Sequence, residues 1–308
     1  MNRRTSNIFR RGPRASVRPH PVAMVDGLEH AGALDRVIRG VSTVVQRTLR
    51  PGRTKDALHG VPFGHPAHPP LTDLPMGCWM SAAVLDLMPS TAGTQLASQA
   101  LVAAGLSTAV PTALTGLADW SALQRRQQRV GVVHAASTAT ATALYAASLV
   151  ARRRGRDGAG RALGFAGLTA LLAGGYLGGH LAFRQAAGAN HADQIAHLVP
   201  LGWQDLCPMS DLPDGWPVVR RLGYISLFVM RDGEDVHVLT DRCSHLAGPL
   251  HQGRIITDDN ADPCVVCPWH GSTFRIRDGS VVHGPATARQ PAFETRVQEG
   301  TVQVRPIT

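Results

Sequence analysis

Cys243-Ser244-His245-Leu246-Ala247-Gly248-Pro249-Leu250 and Cys267-Pro268-Trp269-His270-Gly271-Ser272 are the stretches on which the reading of this chain turns. Cys-x-His followed by Cys-x-x-His supplies two thiolates and two imidazoles from two short loops. That donor set suits a 2Fe-2S pair in which two Cys hold one iron and two His the other. A rival set shares the same residues: Cys243, Cys264, Cys267 and His270 have spacing plausible for a Cys3His zinc site. Zinc, however, leaves His245 without a task and gives no reason for Gly248-Pro249 or Gly284-Pro285.

Around these loops the sequence reads as short β-type runs broken by turn pairs. Tyr224–Met230 meets Asp232-Gly233 and then Val236–Thr240. Phe274–Ile276 meets Asp278-Gly279, and Phe293–Val297 meets Glu299-Gly300 before Val302–Val304. Asp-Gly pairs flanked by such runs are hairpin signals. An antiparallel β domain is expected over residues 201–308.

The residues upstream have another character. Of 308 residues, enough for two domains, 44% are hydrophobic but only 5% aromatic, and 32 are Gly. The net charge of +9 sits largely in the first 55 residues and two Arg-rich loops. Residues 1–25 read as a disordered basic tail. Within residues 26–56, Leu34, Val37, Ile38, Val41, Val44, Val45 and Leu49 follow helical spacing. That amphipathic helix lies either on anionic lipid or on the protein itself.

Residues 57–188 are expected to form a four-helix membrane domain, with spans at about 71–88, 96–117, 130–150 and 162–183. The last three contain no Asp, Glu, Lys or Arg, and each approaches the ~20 residues a bilayer crossing needs. Small residues recur at four-residue spacing in Ala135/Ala139/Ala143/Ala147 and in Gly174/Gly178 and Gly175/Gly179, as in closely packed membrane helices. The alternative is a soluble helical bundle.

An even number of spans puts both termini on one side. There lie Arg47, Arg50, Arg53, Lys55, Arg125, Arg126, Arg129 and Arg184, against Arg152, Arg153, Arg154, Arg156 and Arg161 opposite. The bias makes the termini's side cytoplasmic in a cell membrane. A lipid membrane is therefore the expected partner of the basic tail, and nucleic acid is not. Residues 189–200 read as a polar linker. Cys78, Cys207 and Cys264 form no disulfide framework, and no apolar run follows the N-terminal arginines, so no cleaved signal is expected.

Cys243-Ser-His245-Leu-Ala-Gly-Pro-Leu, Cys267-Pro-Trp-His270-Gly and Gly284-Pro285-Ala286 resemble a Rieske domain of the ferredoxin and oxygenase type. The resemblance implies that Cys243 and Cys267 hold the buried iron and His245 and His270 the outer one. Gly248, Pro249, Trp269, Ser272, Gly284 and Pro285 would surround the cluster. The gap between the ligand pairs is long for the family, with Ile256–Pro263 as the expected loop insertion. Respiratory Rieske proteins carry a disulfide between the two loops and a Tyr beside the cluster. Gly248, Trp269 and Phe274 stand there instead, so a low- or intermediate-potential centre is expected.

The upstream half resembles an uncharacterised bacterial four-helix membrane family, through His65-Pro-x-His68-Pro, Gly116-Leu-Ala-Asp119-Trp120 and Gly174-Gly-Tyr-Leu-Gly-Gly-His180. The overall expectation is an α+β multidomain chain: a four-helix transmembrane bundle followed by an all-β Rieske-type domain. His68, Asp119, His134 and His180 gather near one face of the bundle. Ionisable groups in spans are costly and mark candidate sites, here for a haem, a quinone or its protons. The alternative is that they clamp the helices in register.

Function follows as an expectation: single-electron transfer through a 2Fe-2S cluster, to or from a donor or acceptor protein. A redox sensor or scaffold is one alternative, and a Rieske subunit of a quinol-oxidising or oxygenase complex another. No mononuclear-iron domain follows the Rieske module, so the chain is expected to be a component of an oxidoreductase system.

Overall fold

Helices precede strands throughout the computed structural model, which describes residues 20–307. The basic tail expected over 1–25 lies, through residue 19, outside the described residues; from His20 the chain is helical. Seven α-helices occur among the described residues, where four spans and one amphipathic helix were expected. They are α1 (His20–Glu29), α2 (Asp35–Thr48), α3 (Arg53–His59), α4 (His68–Leu87), α5 (Ala92–Ser121), α6 (Arg125–Arg153) and α7 (Asp157–Gly179). The chain leaves α7 through one turn of π-helix, His180–Arg184.

The four long helices α4 to α7 pack as consecutive antiparallel neighbours, closest in the pairs α4/α5 and α6/α7. Glycines make seats for large side chains. A Cβ added at Gly105 would fall 2.2 Å from Trp79 Nε1, and one at Gly131 2.5 Å from the Trp120 ring. Trp79 in turn stacks on Tyr145 with ring centroids 4.3 Å apart. The row Ala135, Ala139, Ala143 and Ala147 was expected to seat a neighbour, but it faces outward. The inward stripe of α6 instead holds Ala141, Tyr145, Ser148 and Arg152. Gly174 and Gly178 do meet α6, at Thr138 and His134.

Polar contacts rivet the bundle. Pro75 cannot donate to the Leu71 carbonyl one turn back, and Thr112 Oγ1 of α5 donates to that carbonyl at 3.0 Å instead. At the opposite end, Arg152 and Asp86 form a buried bidentate ion pair that also binds Ser148 and Ser98. Among the described residues, two helical stretches are long and apolar enough to cross a membrane: Ala92–Ser121 and Asp157–Arg184. The helix α4 carries Asp73 and Asp86, and α6 opens on three Arg and is threaded with Ser and Thr.

Helix α2 packs on α5 and α6 through Ile38 and Val45, while Val37, Val41 and Val44 stay exposed on its other flank. Its Asp35 clamps Arg129 with two bonds of 2.8 and 2.9 Å. Glu29, ending α1, receives Arg126 and His180. Burial works against ionisation of Glu29, but hydrogen bonds from Arg126, His180 and Gln185 hold its pKa at about 2.

The β domain has two antiparallel sheets. The larger has the order β1 (Gln204–Pro208), β10 (Thr301–Pro306), β9 (Ala292–Gln298), β4 (Asp235–Thr240), β3 (Ile225–Asp232) and β2 (Val218–Leu222). The smaller runs β5 (Arg254–Thr257), β6 (Pro263–Val266), β7 (Thr273–Arg275) and β8 (Val281–His283). Gly233, Gly279 and Gly300 turn with positive φ, as the turn pairs predict. Residues 256–263, expected as a loop insertion, form the tip of a hairpin: Ile256 pairs with Cys264 and Thr257 with Pro263, and residues 258–262 make the loop between them. Arg275 ties that tip down through Asp258 and Asp262. One core, built on Phe228, Leu239, Val265 and Phe274, runs directly into Cys243 and Cys267.

Candidate metal centre

Two loops at one end of the smaller sheet carry the chemistry, and each closes on its own cysteine. Cys243 N donates to Gly248 O at 2.9 Å, and Ala247 N donates back to Cys243 O at 2.8 Å. Cys267 N donates to Ser272 O at 2.8 Å, and Gly271 N returns to Cys267 O at 3.1 Å. Ala247 and Gly271 take the positive φ these tight loops need. Both sulfurs are buried, whereas His245 and His270 sit at the rim with ring centroids 5.0 Å apart.

The surroundings hold the loops still. A Cβ at Gly248 would come 2.9 Å from Cys267 Sγ, so only glycine leaves room between the loops. Pro249 bridges back to Arg242. Ser272 Oγ accepts from Ala286 N at 3.0 Å, tying the second loop to the Gly284-Pro285 turn, whose peptide is cis. Trp269 lies half-exposed beside His270.

Three supports had no sequence signal. Gln290, fully buried, accepts from Ser244 N at 2.9 Å and donates to Thr240 O and Arg242 O at 2.8 and 2.6 Å. Asp241 accepts from His251 N and Nδ1, both at 2.8 Å. Ser244 Oγ donates to Ala288 O at 2.8 Å. Single polar residues without spacing periodicity carry no pattern until the fold brings their partners together.

The residues fit a binuclear cluster. Cys243 and Cys267 share a hydrogen bond; together with burial it pushes the Cys243 thiol up, and it holds Cys267 below the usual thiol value. Two buried sulfurs this close together are placed to ligate one iron. Burial, then the nearby charges of His270, His59 and His191, keep His245 neutral with a pKa of about 3. Its Nδ1 is buried without a hydrogen-bond partner, a lone pair left for a metal. Among the described residues no three His, Cys, Asp or Glu side chains converge on one ion. Cys264 lies on β6 with its thiol on Asp262 O at 3.4 Å, so the Cys3His set is not assembled.

The helical candidates are each held by a separate partner. His180 Nε2 pairs with Glu29 at 2.9 Å, and Asp119 Oδ1 accepts from His59 Nδ1 at 2.8 Å. His68 and His134 meet edge to face at 6.3 Å, with their Nδ1 atoms on the carbonyls of Thr112 and Gly174. Each of the four thus ties one element to another, and the expected haem or quinone site finds no support in this arrangement.

Comparison with known proteins divides the chain at the same place. Residues 202–294 match the Rieske [2Fe-2S] domain, and residues 64–191 match a family described as "Predicted membrane protein (DUF2231)". Ferredoxin CarAc of Metapseudomonas resinovorans is 32% identical over 103 residues, 33% of this chain and 92% of that protein. The anthranilate 1,2-dioxygenase ferredoxin subunit of Burkholderia cepacia is 28% identical, over 33% of this chain and 90% of its own. The solved ferredoxin of carbazole 1,9a-dioxygenase from Nocardioides aromaticivorans IC177 is 23% identical with a TM-score of 0.31, covering 34% of this chain and 98% of that one. With two self-closed Cys/His loops on a two-sheet β domain, this chain belongs, through its C-terminal third, to the Rieske [2Fe-2S] family.

Proposed function

We propose that this protein is a membrane-anchored Rieske electron-transfer protein, in which Cys243, His245, Cys267 and His270 hold a 2Fe-2S cluster. The observation that carries the reading is the inner pair of buried sulfurs facing an outer pair of rim imidazoles, one of them with an orphaned Nδ1. When bound, the cluster supplies a one-electron couple. The chain's own residues exclude water from the sulfur side through Leu250, Phe274 and Ala286. They leave Trp269 and the His270 edge accessible to a protein donor or acceptor. That similar proteins are named ferredoxins supports a partner of this kind.

Anchoring draws on Ala92–Ser121, Asp157–Arg184 and the membrane-protein family match. In this reading α4 and α6 complete four crossings. The exposed Val37, Val41 and Val44 of α2 lie at the lipid boundary, and the charge bias puts the β domain on the cytoplasmic face.

Electron paramagnetic resonance of reduced, alkali-washed membranes tests the proposal. A Rieske signal that stays with the membrane is expected, and a signal released into the wash sinks the anchor. The described cysteines are all free, with no disulfide between the loops. The midpoint is therefore expected in the lower part of the roughly −150 to +300 mV Rieske range.

A further inference from the structure

The two ends of the helical bundle differ in what meets them. At the end that carries α3, the β domain does. Asp56 of α3 accepts from His283 Nδ1 and Gly284 N, both at 2.9 Å, and His191 N in the connector donates to Ser244 O at 2.8 Å. At the other end, where α6 turns into α7, residues 153–156 are all exposed.

Charge is concentrated at that open turn. Residues 152–161 carry five arginines and one acid, Asp157. Arg152 is already neutralised by Asp86 inside the bundle. Asp157 sits in the first turn of α7, where it offsets the positive helix end. Among the described residues, the guanidiniums of Arg154 and Arg156 have no ion-pair or hydrogen-bond partner. With the β domain cytoplasmic, these arginines stand on the side of a membrane protein where basic residues are scarcer. They therefore need a counter-charge from outside the chain.

The turn also has a shape. Gly155 takes a φ of +70°, and Arg154 and Arg156 line one cavity of about 440 Å³ between α6 and α7. The rest of its wall is apolar, from Ala147 and Val150 on α6 to Ala159 and Leu163 on α7. Ala147 and Leu163 lie about two helical turns, roughly 10 Å, from the nearer arginine. Two cations thus stand at the mouth of an apolar groove whose size falls in the roughly 300–1,000 Å³ range of small-molecule sites. A free phosphate would use the cations and leave the groove idle. An amphiphile with an anionic head uses both, and guanidinium forks match phosphate oxygens.

We propose that the α6/α7 turn binds one anionic phospholipid, its phosphate on Arg154 and Arg156 and the first part of an acyl chain along the groove. This rests on the membrane-anchored reading above. The bound lipid supplies the counter-charge that the chain itself lacks, in the leaflet opposite the β domain.

The test is native mass spectrometry of the full-length protein in detergent, titrated with phosphatidylglycerol and, separately, with phosphatidylcholine. One phosphatidylglycerol is expected to be retained, and phosphatidylcholine, which has no net charge, to bind more weakly. Replacing both arginines, Arg154→Ala with Arg156→Ala, should weaken phosphatidylglycerol about thirtyfold, while Arg154→Lys with Arg156→Lys should lose only part of that. Ala159→Phe fills the groove without removing a charge and should also weaken the lipid. Unchanged affinity in the double alanine variant or in Ala159→Phe overturns the proposal. Displacement of the lipid by excess inorganic phosphate overturns it too, by showing a site for the free anion. An alkali wash of membranes separates the two readings. Protein that stays in the membrane yet binds both lipids alike sinks the lipid site and leaves the anchor standing, whereas protein released by the wash removes the anchor and the lipid site with it.

Discussion

The two halves of this chain hold their functional side chains in opposite ways. In the β domain, four site residues come from two loops of a few residues each, and every loop is closed by hydrogen bonds to its own cysteine. In the helical region, each notable histidine comes from a different element and is fixed by a distant group: His59 by Asp119, His68 by Thr112, His134 by Gly174 and His180 by Glu29. A locally closed site is a property of a short stretch of sequence. A site assembled from helix faces depends on the crossing of whole elements, and the same residue types there serve as rivets.

Mutations can break this contrast, the largest effect being in the β domain. Cys267→Ser removes a thiolate ligand and is expected to abolish the electron paramagnetic resonance signal. Far-ultraviolet circular dichroism, dominated by the helices, should hardly change. A persistent Rieske signal would show that the two loops are not the site.

Arg152→Ala comes next. It leaves Asp86 as an unpaired buried charge at the far end of the bundle, expected to cost about 3–5 kcal/mol. A lowered thermal midpoint for helix loss with an intact cluster signal is the expected pairing of results. Gln290→Ala is smaller. It strips a partner from Ser244 N and from the Thr240 and Arg242 carbonyls that lead into the first cluster loop, at about 1–3 kcal/mol for buried groups left unpaired. Denaturant unfolding of the β domain measures it, and the cluster should also be lost faster to a chelator.

The smallest expected effect is a pH dependence at α1. Glu29 has its pKa lowered from 4.5 to about 2, so its contribution to stability is present above pH 4.5 and lost as pH falls toward 2. Hydrogen exchange in α1 should therefore rise through that acid window, and Glu29→Gln should remove the pH dependence. An α1 that exchanges alike at both ends of the window would show the Arg126 and His180 contacts to be incidental.

How much was legible in advance follows the same contrast. Cys-x-His and Cys-x-x-His announce two loops, and Asp-Gly pairs announce hairpins, because both depend on backbone geometry over a few residues. Helix existence was legible too, from uncharged runs. The sequence does not reveal which helix face turns inward: the regular alanines of α6 look outward, while Tyr145, Ser148 and Arg152 look in. Neither did it reveal Gln290 or His59, whose partners lie 50 and 60 residues away in sequence. The extra length between the ligand pairs was visible, and it forms a loop at residues 258–262 on a hairpin closed by Thr257 and Pro263.

The latch between Asp56 and the His283–Gly284 backbone has a kinetic meaning. With the connector also bound at Ser244, the β domain is a fixed head, not a swinging arm on a leash. A tethered shuttle delivers charge at a rate set by its own excursion, independent of how much partner is present. A fixed head must wait to be visited. Turnover would then scale with the concentration of the visiting protein and saturate only when the Trp269–His270 face is continuously occupied.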